Sequence, residues 1–267
     1  GTVRAVLAKP GDTAPDGAVL LLIDPSDDMD AEDVAVEDVD LDRIRPDLAE
    51  LRARIGAGLD ENRPDAVAKR HARGHQTARE NLGAICDEGS FLEYGALATA
   101  AQRSRRSLAD LIANTTGDGV VTGIGSVNGD QFGEDASRCA FAVYDYMVLA
   151  GTQGQRNHKK QDRVFELAGK WKMPVILLAE GGGGRPGDVD RFNLAGLDCS
   201  TFGQFARLSG QAPLVGVASG RCFAGNAALL GCCDVIIADE SANIGMAGPA
   251  MIEGGGLGVY RPEEIGP

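Results

Sequence analysis

The chain has 267 residues with 26 basic and 39 acidic side chains, and its formal net charge of −13 disfavours a general binder of nucleic acid or anionic membranes. Its 43% hydrophobic and 24% charged residues are ordinary globular usage, and no apolar run approaches the roughly 20 residues that span a bilayer. The N-terminus lacks the basic-then-apolar order of a signal peptide, so we expect a cytoplasmic protein. The six cysteines contain no C-x-x-C pair, so we expect no metal site.

The N-terminal segment predicts short strands followed by an acidic linker. Apolar stretches at 1–7 and 17–23 are separated by turn residues. Residues 24–50 then hold twelve carboxylates against only two arginines, and such like charges keep a segment solvated. We therefore predict three parts of the chain, namely the segment 1–24, a linker at 25–40 and the main domain at 41–267.

Two helical segments are predicted next. Apolar residues recur at helical spacing from Leu41 to Leu59, which indicates an amphipathic helix with Pro46 in its first turn. Residues 66–81 also have a helical pattern, and they form the most basic stretch of this acidic chain. This stretch is expected either to meet a phosphate-bearing ligand or to be a solvated helix face.

Beyond the basic segment the pattern changes to β structure. A strand over 119–127 runs into Asn128-Gly129, which is typical of a two-residue type I′ hairpin turn. Because a helix would have to follow in a dinucleotide-binding motif, the Gly-x-Gly spacing of this strand is not interpreted as one. A further strand is predicted over 139–149, and an amphipathic helix over 155–171.

The following part of the chain repeats a strand, a loop of small residues and a helix. The predicted elements are the strand 174–179, the loop 180–185, the helix 202–208, the strand 213–218, the loop 220–227, a helix to about 232 and the strand 234–238. Each buried strand is expected to end in a loop that exposes backbone N–H groups at a helix start, so that two loops face one anionic oxygen. The sequence has no G-x-S-x-G or H-E-x-x-H motif, which favours catalysis by such backbone donors. The alternative is that the glycines only ease strand-to-helix packing.

Several segments of the chain are similar to the motifs of one known family. They are residues 62–74, 77–80, 117–123, 151–152, 159–160, 180–185, 220–229, 234–239 and 242–245. On these segments, residues 62–265 resemble the N-terminal half of the biotin-dependent acyl-CoA carboxyltransferases of the crotonase superfamily. The resemblance implies an α/β fold, the crotonase-like ββα spiral.

The resemblance also implies the site residues. The family's D-S-G-G-A-R segment matches 180–185, and its G-x-C-x-A-G-G-A segment matches 220–227. The implied oxyanion-hole residues are Gly182, Gly183, Ala224 and Gly225. The implied contacts to acyl-CoA are Arg70, Arg73, Arg79, Lys159, Lys160, Arg185 and Phe223.

This chain departs from the family pattern at four places. The departures are His75-Gln76 for Lys-Leu, Glu180-Gly181 for Asp-Ser, Gly184 for Ala, and Asn226 for the second Gly of A-G-G. They bear on acyl specificity, whereas the backbone donors survive them because every residue except proline supplies an N–H.

The function that the resemblance implies is the transfer of a carboxyl group from carboxybiotin to the α- or γ-carbon of an acyl-CoA. Loop N–H groups hold the enolate oxygen of the thioester, and the freed biotin takes the proton, so no protein base is needed. In this family CoA lies on the N-terminal half, and biotin lies on the C-terminal half of a partner subunit. Expected partners are therefore that half, a biotinyl carrier domain, a biotin carboxylase domain and further copies in a homo-oligomer. The chain alone is expected to be inactive.

Residues 1–24 resemble the closing half of a biotinyl or lipoyl carrier domain. They lack the Met-Lys-Met sequence of the biotinylated lysine and are too few to enclose a core, which suggests a piece of a longer protein; the alternative is an isolated β-hairpin. Two other functions remain open. One is an acyl-CoA hydratase or isomerase, for which Glu180 and Glu253 are the candidate side chains, and the other is a non-catalytic CoA-binding or assembly paralogue.

Overall fold

A computed structural model describes residues 1–9, 11–14, 18–24, 42–190 and 199–267. These residues form two compact units, which divide the chain at Pro46 and Asp47. The predicted linker 25–40 lies outside the described residues. The assignment of three domains stays a prediction.

The first unit contains two paired strands. Strands β1 (Thr2–Val6) and β2 (Leu21–Asp24) run antiparallel, with an irregularity in register between Val3 and Ala5. The two strands fall where the sequence predicts β structure. Whether they end a carrier domain stays a prediction.

Strands and helices alternate through the rest of the chain. The strands are β3 (Leu92–Tyr94), β4 (Val120–Ser126), β5 (Arg138–Tyr144), β6 (Val175–Leu178), β7 (Leu214–Ala218), β8 (Arg221–Phe223), β9 (Val235–Ala238) and β10 (Asn243–Gly245). The helices are α1 (Pro46–Gly56), α2 (Pro64–His71), α3 (Ala78–Ile85), α4 (Leu108–Asn114), α5 (Gly129–Phe132), α6 (Glu134–Ser137), α7 (Gln155–Trp171), α8 (Thr201–Arg207), α9 (Gly225–Leu230) and α10 (Pro249–Gly254). This alternation confirms the α/β class. Among the described residues, no helix is both long and apolar enough to cross a bilayer.

Six of the described strands form one mixed sheet in the order β3-β4-β5-β6-β7-β9. The pairs β3–β4 and β4–β5 are antiparallel, and the remaining neighbours are parallel. Side chains alternate between the two faces of the sheet, so one core lies on each face: Phe165 of α7 and Phe205 of α8 belong to one core, and Leu82 of α3 belongs to the other. Because β6 and β7 run parallel inside this sheet, the loops that follow them start at the same edge.

The last strand of the sheet is exposed rather than buried. Val235, Ile236 and Ile237 of β9 are 52%, 47% and 56% exposed, although they are apolar. The reason is position, since β9 ends the order of the sheet and pairs only with β7 among the described strands. The apolar run therefore identified the strand correctly.

The basic segment 66–81 is two helices rather than one. Helix α2 ends at His71, and Gly74 follows with a φ of +77°, a conformation that glycine adopts readily. The Thr77 hydroxyl then accepts the N–H of Glu80 at 3.0 Å, while the Glu80 carboxylate accepts the N–H of Thr77 at 2.8 Å. This capping box starts α3 afresh, so the prediction of one continuous helix is wrong.

The predicted two-residue hairpin after β4 is also wrong. Asn128 has the left-handed conformation that a type I′ turn needs, but the short helices α5 and α6 separate β4 from β5. The carboxylate of Asp87 accepts the N–H groups of Asn128 at 2.9 Å and Gly129 at 2.8 Å. These bonds start a helical turn at Gly129, while the antiparallel pairing that a hairpin implies is present between β4 and β5.

Candidate functional site

Two loops of small residues meet at one edge of the sheet. We name residues 180–185, which follow β6, the first glycine loop, and residues 220–226, which follow β7, the second glycine loop. Gly181 forms a parallel bridge with Cys222, in which the Gly181 carbonyl accepts the N–H of Phe223 at 2.9 Å. A Cβ built on Gly183 would lie 2.5 Å from the Cβ of Ala224 and 3.5 Å from the nitrogen of Gly225. The structure thus brings the two loops into contact.

Backbone conformations at this contact are unusual. Gly183 has a φ of +83°, and Ala224 has a φ of +50° with a ψ of −117° at the N-cap of α9. A residue with a Cβ is strained there by about 1–3 kcal/mol, and such strain persists only where the surroundings fix it. It clusters at functional sites, which supports a role for this contact.

The two N–H groups of the first glycine loop that were predicted to form the oxyanion hole are already hydrogen-bonded. Gly182 donates to the carbonyl of Ala150 at 3.2 Å. Gly183 donates to the side-chain Oδ1 of Asn226 at 3.0 Å. In this conformation neither N–H is available to a ligand oxygen, and their predicted role in the oxyanion hole stays a prediction.

Within the described residues, two other N–H groups of the glycine loops have no hydrogen-bond acceptor. Ala224 donates to the carbonyl of Gly245 at 2.9 Å, but Gly225, the first residue of α9, has no acceptor among the described residues. The N–H of Gly184 also lacks one in the part of the chain that the structure describes. Gly184 is exposed and Gly225 is partly exposed.

A buried ion cluster holds the end of the first glycine loop. Nε of Arg185 donates to Asp188 at 2.8 Å, and Nη2 of Arg185 pairs with Asp118. Only 6% of the Arg185 side chain is exposed, and both carboxylates are fully covered. Burial raises the pKa of Asp118; at Asp188 burial is outweighed by hydrogen bonds from Arg185 and the N–H of Gln155, which lower the pKa. Arg185 therefore has its partners inside the protein.

Two more of the arginines that were predicted to contact acyl-CoA form ion pairs within the protein. Arg70 donates to Oε1 of Glu180 at 2.7 Å and also pairs with Oε2, and the two side chains are 8% and 11% exposed. Burial raises the pKa of Glu180 despite this pairing. Arg79 donates to Glu93 at 3.0 Å and to the carbonyl of Gly58 at 2.7 Å. Both arginines thus tie distant segments of the chain together.

The two adjacent lysines of α7 differ in environment. Lys160 is buried, and its Nζ donates to the carbonyl of Gly117 at 2.9 Å and to that of Val120. Burial lowers the pKa of Lys160 to about 8. Lys159 is exposed, whereas Phe223 is only 4% exposed. That these residues contact the substrate stays a prediction.

An open cleft of about 620 Å³ lies where both glycine loops leave their strands. Glu180 and Gly220 line it, together with Arg73 and His75. Burial lowers the pKa of His75, and the charge of Arg70 lowers it further. Arg73 is exposed, and none of the described side chains forms an ion pair with it. Among the predicted arginines, Arg73 is thus the one that the structure leaves available to an anionic ligand.

Sequence reasoning missed two polar side chains beneath the loops. Gln153 donates from Nε2 to the Tyr144 hydroxyl at 2.7 Å, and its Oε1 lies 1.9 Å from the position of a Cβ built on Gly225. Asn226 bonds across to the first glycine loop, as described above. For Asn226, the available signal was its departure from the family motif. For Gln153, nothing in the sequence spacing gave a signal.

The mixed sheet and the paired glycine loops define a crotonase-like α/β domain, as the sequence indicates, and the solved structures below share this fold. Residues 69–265 match the model of the carboxyl transferase domain. The chain therefore belongs to the carboxyl transferase family.

Individual relatives agree with this assignment. The propionyl-CoA carboxylase beta chain of Saccharopolyspora erythraea is 31% identical over 77% of this chain and 36% of that protein. The biotin-dependent acetyl-/propionyl-coenzyme A carboxylase beta5 subunit of Mycobacterium tuberculosis is 33% identical over 80% of this chain and 37% of the subunit. The chain thus spans little more than a third of the length of either relative.

Two solved structures are also similar. A single-chain, multi-domain long-chain acyl-CoA carboxylase is 57% identical, with a TM-score of 0.80, and the match covers 99% of this chain and 24% of that one. The transcarboxylase 12S structure, a hexamer, is 27% identical with a TM-score of 0.61, over 82% of this chain and 40% of the other.

Proposed function

We propose that this chain supplies the acyl-CoA-binding half of a biotin-dependent carboxyltransferase, which moves a carboxyl group onto the α- or γ-carbon of an acyl-CoA. One observation carries the proposal: the free N–H groups of Gly184 and Gly225 lie on two loops that touch each other. Neutral donors fixed in this way suit an oxygen that gains negative charge during the reaction. Gly182, Gly183 and Ala224 then form the frame that holds them.

The protein's part in the reaction is electrostatic. Enolisation of the thioester places a negative charge on its carbonyl oxygen, and each N–H aimed at that oxygen stabilises the enolate by about 3 kcal/mol. Carboxybiotin supplies the carboxyl group and the proton acceptor when it is bound. This chain has no Met-Lys-Met sequence, so we assign the attached biotin to a carrier domain outside these residues.

The pairing of Glu180 disfavours a hydratase or isomerase. Such an enzyme needs a free carboxylate at the oxyanion loops, and Glu180 begins the first glycine loop. Arg70, however, binds both of its carboxylate oxygens. Glu253, the other candidate, lies on the short helix α10.

Contacts to the CoA phosphates are proposed for the exposed cations of the family-like segments. Arg73 lines the open cleft, and Lys159 is exposed on α7. Arg70, Arg79, Lys160 and Arg185 have their partners within the protein, so we propose that they shape the site. An arginine without an internal partner keeps its donors for a phosphate.

The wider assembly is also part of the proposal. The similar long-chain carboxylase is a single chain with several domains, and its match extends over 99% of this chain. We propose that residues 1–24 come from a carrier domain. The 12S relative is a hexamer, which supports a homo-oligomer. The remaining partners that we propose are a biotin carboxylase domain and a C-terminal carboxyltransferase half from another subunit.

The test is the reverse reaction of the intact protein with free biotin. Malonyl-CoA and methylmalonyl-CoA are offered separately, and chromatography follows the release of acetyl-CoA or propionyl-CoA. We expect release that depends on biotin. Hydration of an enoyl-CoA without such release would instead identify a hydratase, and acyl-CoA binding without either reaction would identify an assembly paralogue.

A further inference from the structure

Asn226 is the residue in the second glycine loop whose side chain reaches the first. It is completely buried, and both ends of its amide are used. Oδ1 accepts the N–H of Gly183 at 3.0 Å, and Nδ2 donates to the carbonyl of Gly151 at 3.3 Å. One side chain therefore joins three segments that are far apart in sequence.

The space that this amide fills is open because residue 181 is a glycine. A Cβ built on Gly181 would lie 2.6 Å from Nδ2 of Asn226 and 2.1 Å from the carbonyl oxygen of Gly151. Real side chains do not tolerate such contacts with fixed backbone atoms. Serine at 181 would therefore clash with the carbonyl oxygen of Gly151 as well as with the amide of Asn226. The amide of Asn226 thus packs against residue 181, and both positions depart from the family motif.

We infer that Asn226 is a positioning residue, which fastens the two glycine loops so that the N–H groups of Gly184 and Gly225 hold the acyl oxygen. The inference rests on the proposed function. By accepting the N–H of Gly183, the amide removes that donor from the site and holds the loop against Ala224. The buried amide does not touch the substrate itself.

The first test separates positioning from binding. Asn226→Ala in the intact protein should lower kcat about tenfold to a hundredfold, since a misplacement of about 1 Å costs that much, and should leave KM for acyl-CoA within about twofold. Ser137→Ala is the control, because Ser137 is also buried and hydrogen-bonded but lies before β5, at the opposite edge of the sheet. It should leave kcat unchanged. An unchanged kcat in Asn226→Ala, or an equal loss in both variants, would overturn the inference.

Hydrogen exchange tests the fastening without any assay of activity. In the wild-type protein the peptide that contains residues 180–185 should retain the protected N–H of Gly183. Asn226→Ala should make that amide exchange at least tenfold faster, and Ser137→Ala should not. Equal protection in all three proteins would show that the amide does not hold the loop. If the wild type transferred no carboxyl group but exchange changed as expected, the proposed function would fail and the fastening would stand.

The coupling with residue 181 is tested by a double-mutant cycle. Gly181→Ser alone should lower kcat at least tenfold, because the new side chain meets the carbonyl oxygen of Gly151 and the amide of Asn226. In the Asn226→Gly background the same serine should lower kcat by a smaller factor than in the wild type, because the contact with the amide is gone and only the contact with Gly151 remains. Effects that simply multiply in the double variant would contradict the contact between residue 181 and the amide of Asn226.

Discussion

Gly183 and Gly184 offer a sharp comparison, because neighbouring glycines of one loop have different surroundings. A Cβ on Gly183 would lie 2.5 Å from the Cβ of Ala224, at a φ of +83°. A Cβ on Gly184 would meet no atom within 4 Å, and its φ lies outside the left-handed range. Alanine keeps the backbone N–H at both positions, so any difference between the variants is steric.

The magnitude follows from two costs. A left-handed conformation costs a residue with a Cβ about 1–2 kcal/mol, and overpacking against Ala224 costs about 1–3 kcal/mol. Gly183→Ala should therefore lower the free energy of unfolding by about 2–5 kcal/mol. Gly184→Ala should change it by no more than about 0.5 kcal/mol.

Urea unfolding and steady-state kinetics of the two variants check this expectation. Pushing the loops apart moves the donor of Gly225, so Gly183→Ala should also reduce kcat about a hundredfold. Gly184→Ala should stay within about twofold of the wild type. A Gly183→Ala protein with wild-type stability and turnover would refute the contact between the loops. Equal damage by both alanines would refute the assignment of open space at Gly184.

Three further predictions concern the charges and the second donor. Arg73→Gln should raise KM for acyl-CoA about tenfold in steady-state kinetics, with kcat unchanged. Arg79→Gln breaks the pair with Glu93, and it should instead lower the free energy of unfolding by about 1–3 kcal/mol in urea titrations. Burial lowers the pKa of Lys160 from 10.5 to about 8, so between these pH values the unfolded chain keeps a proton that the folded chain has released. The free energy of unfolding should therefore rise with pH across this interval, and urea titrations of Lys160→Met should lack that contribution. Gly225→Pro removes one free N–H and should lower kcat by about a hundredfold to a thousandfold in the carboxyl-transfer assay.

Elements with a clear apolar period were predictable from the sequence. Helix α7 has the predicted bounds, Gln155–Trp171, because one of its faces packs on the sheet and its pattern shows that face. Strands β6 and β7 lie inside their predicted ranges for the same reason. The local sequence also indicates the break between α2 and α3, because Thr77 and Glu80 have the spacing of a capping box. The helical pattern on both sides led to the prediction of one helix.

The hydrogen-bond partners at the site were not predictable in this way. Gly183 and Asn226 are 43 positions apart, and Arg70 and Glu180 are 110 positions apart. Family motifs place such residues in the same region, but they do not show which donors are already used. Only the folded arrangement distinguishes the free N–H of Gly225 from the occupied N–H of Gly183.

Two buried arginines, Arg70 and Arg185, explain how the first glycine loop keeps one conformation. Glu180 begins the first glycine loop and is bound by Arg70. Arg185 ends the same loop and is bound by Asp118 and Asp188. A buried charge is stable only beside its partner, so each pair fixes one end of the loop. The four glycines between these ends need no side chains to keep their conformation, and their backbone is free to approach a ligand. Such an arrangement lets a site without a catalytic side chain present fixed donors to an oxyanion, at no cost of reorganisation when the charge forms.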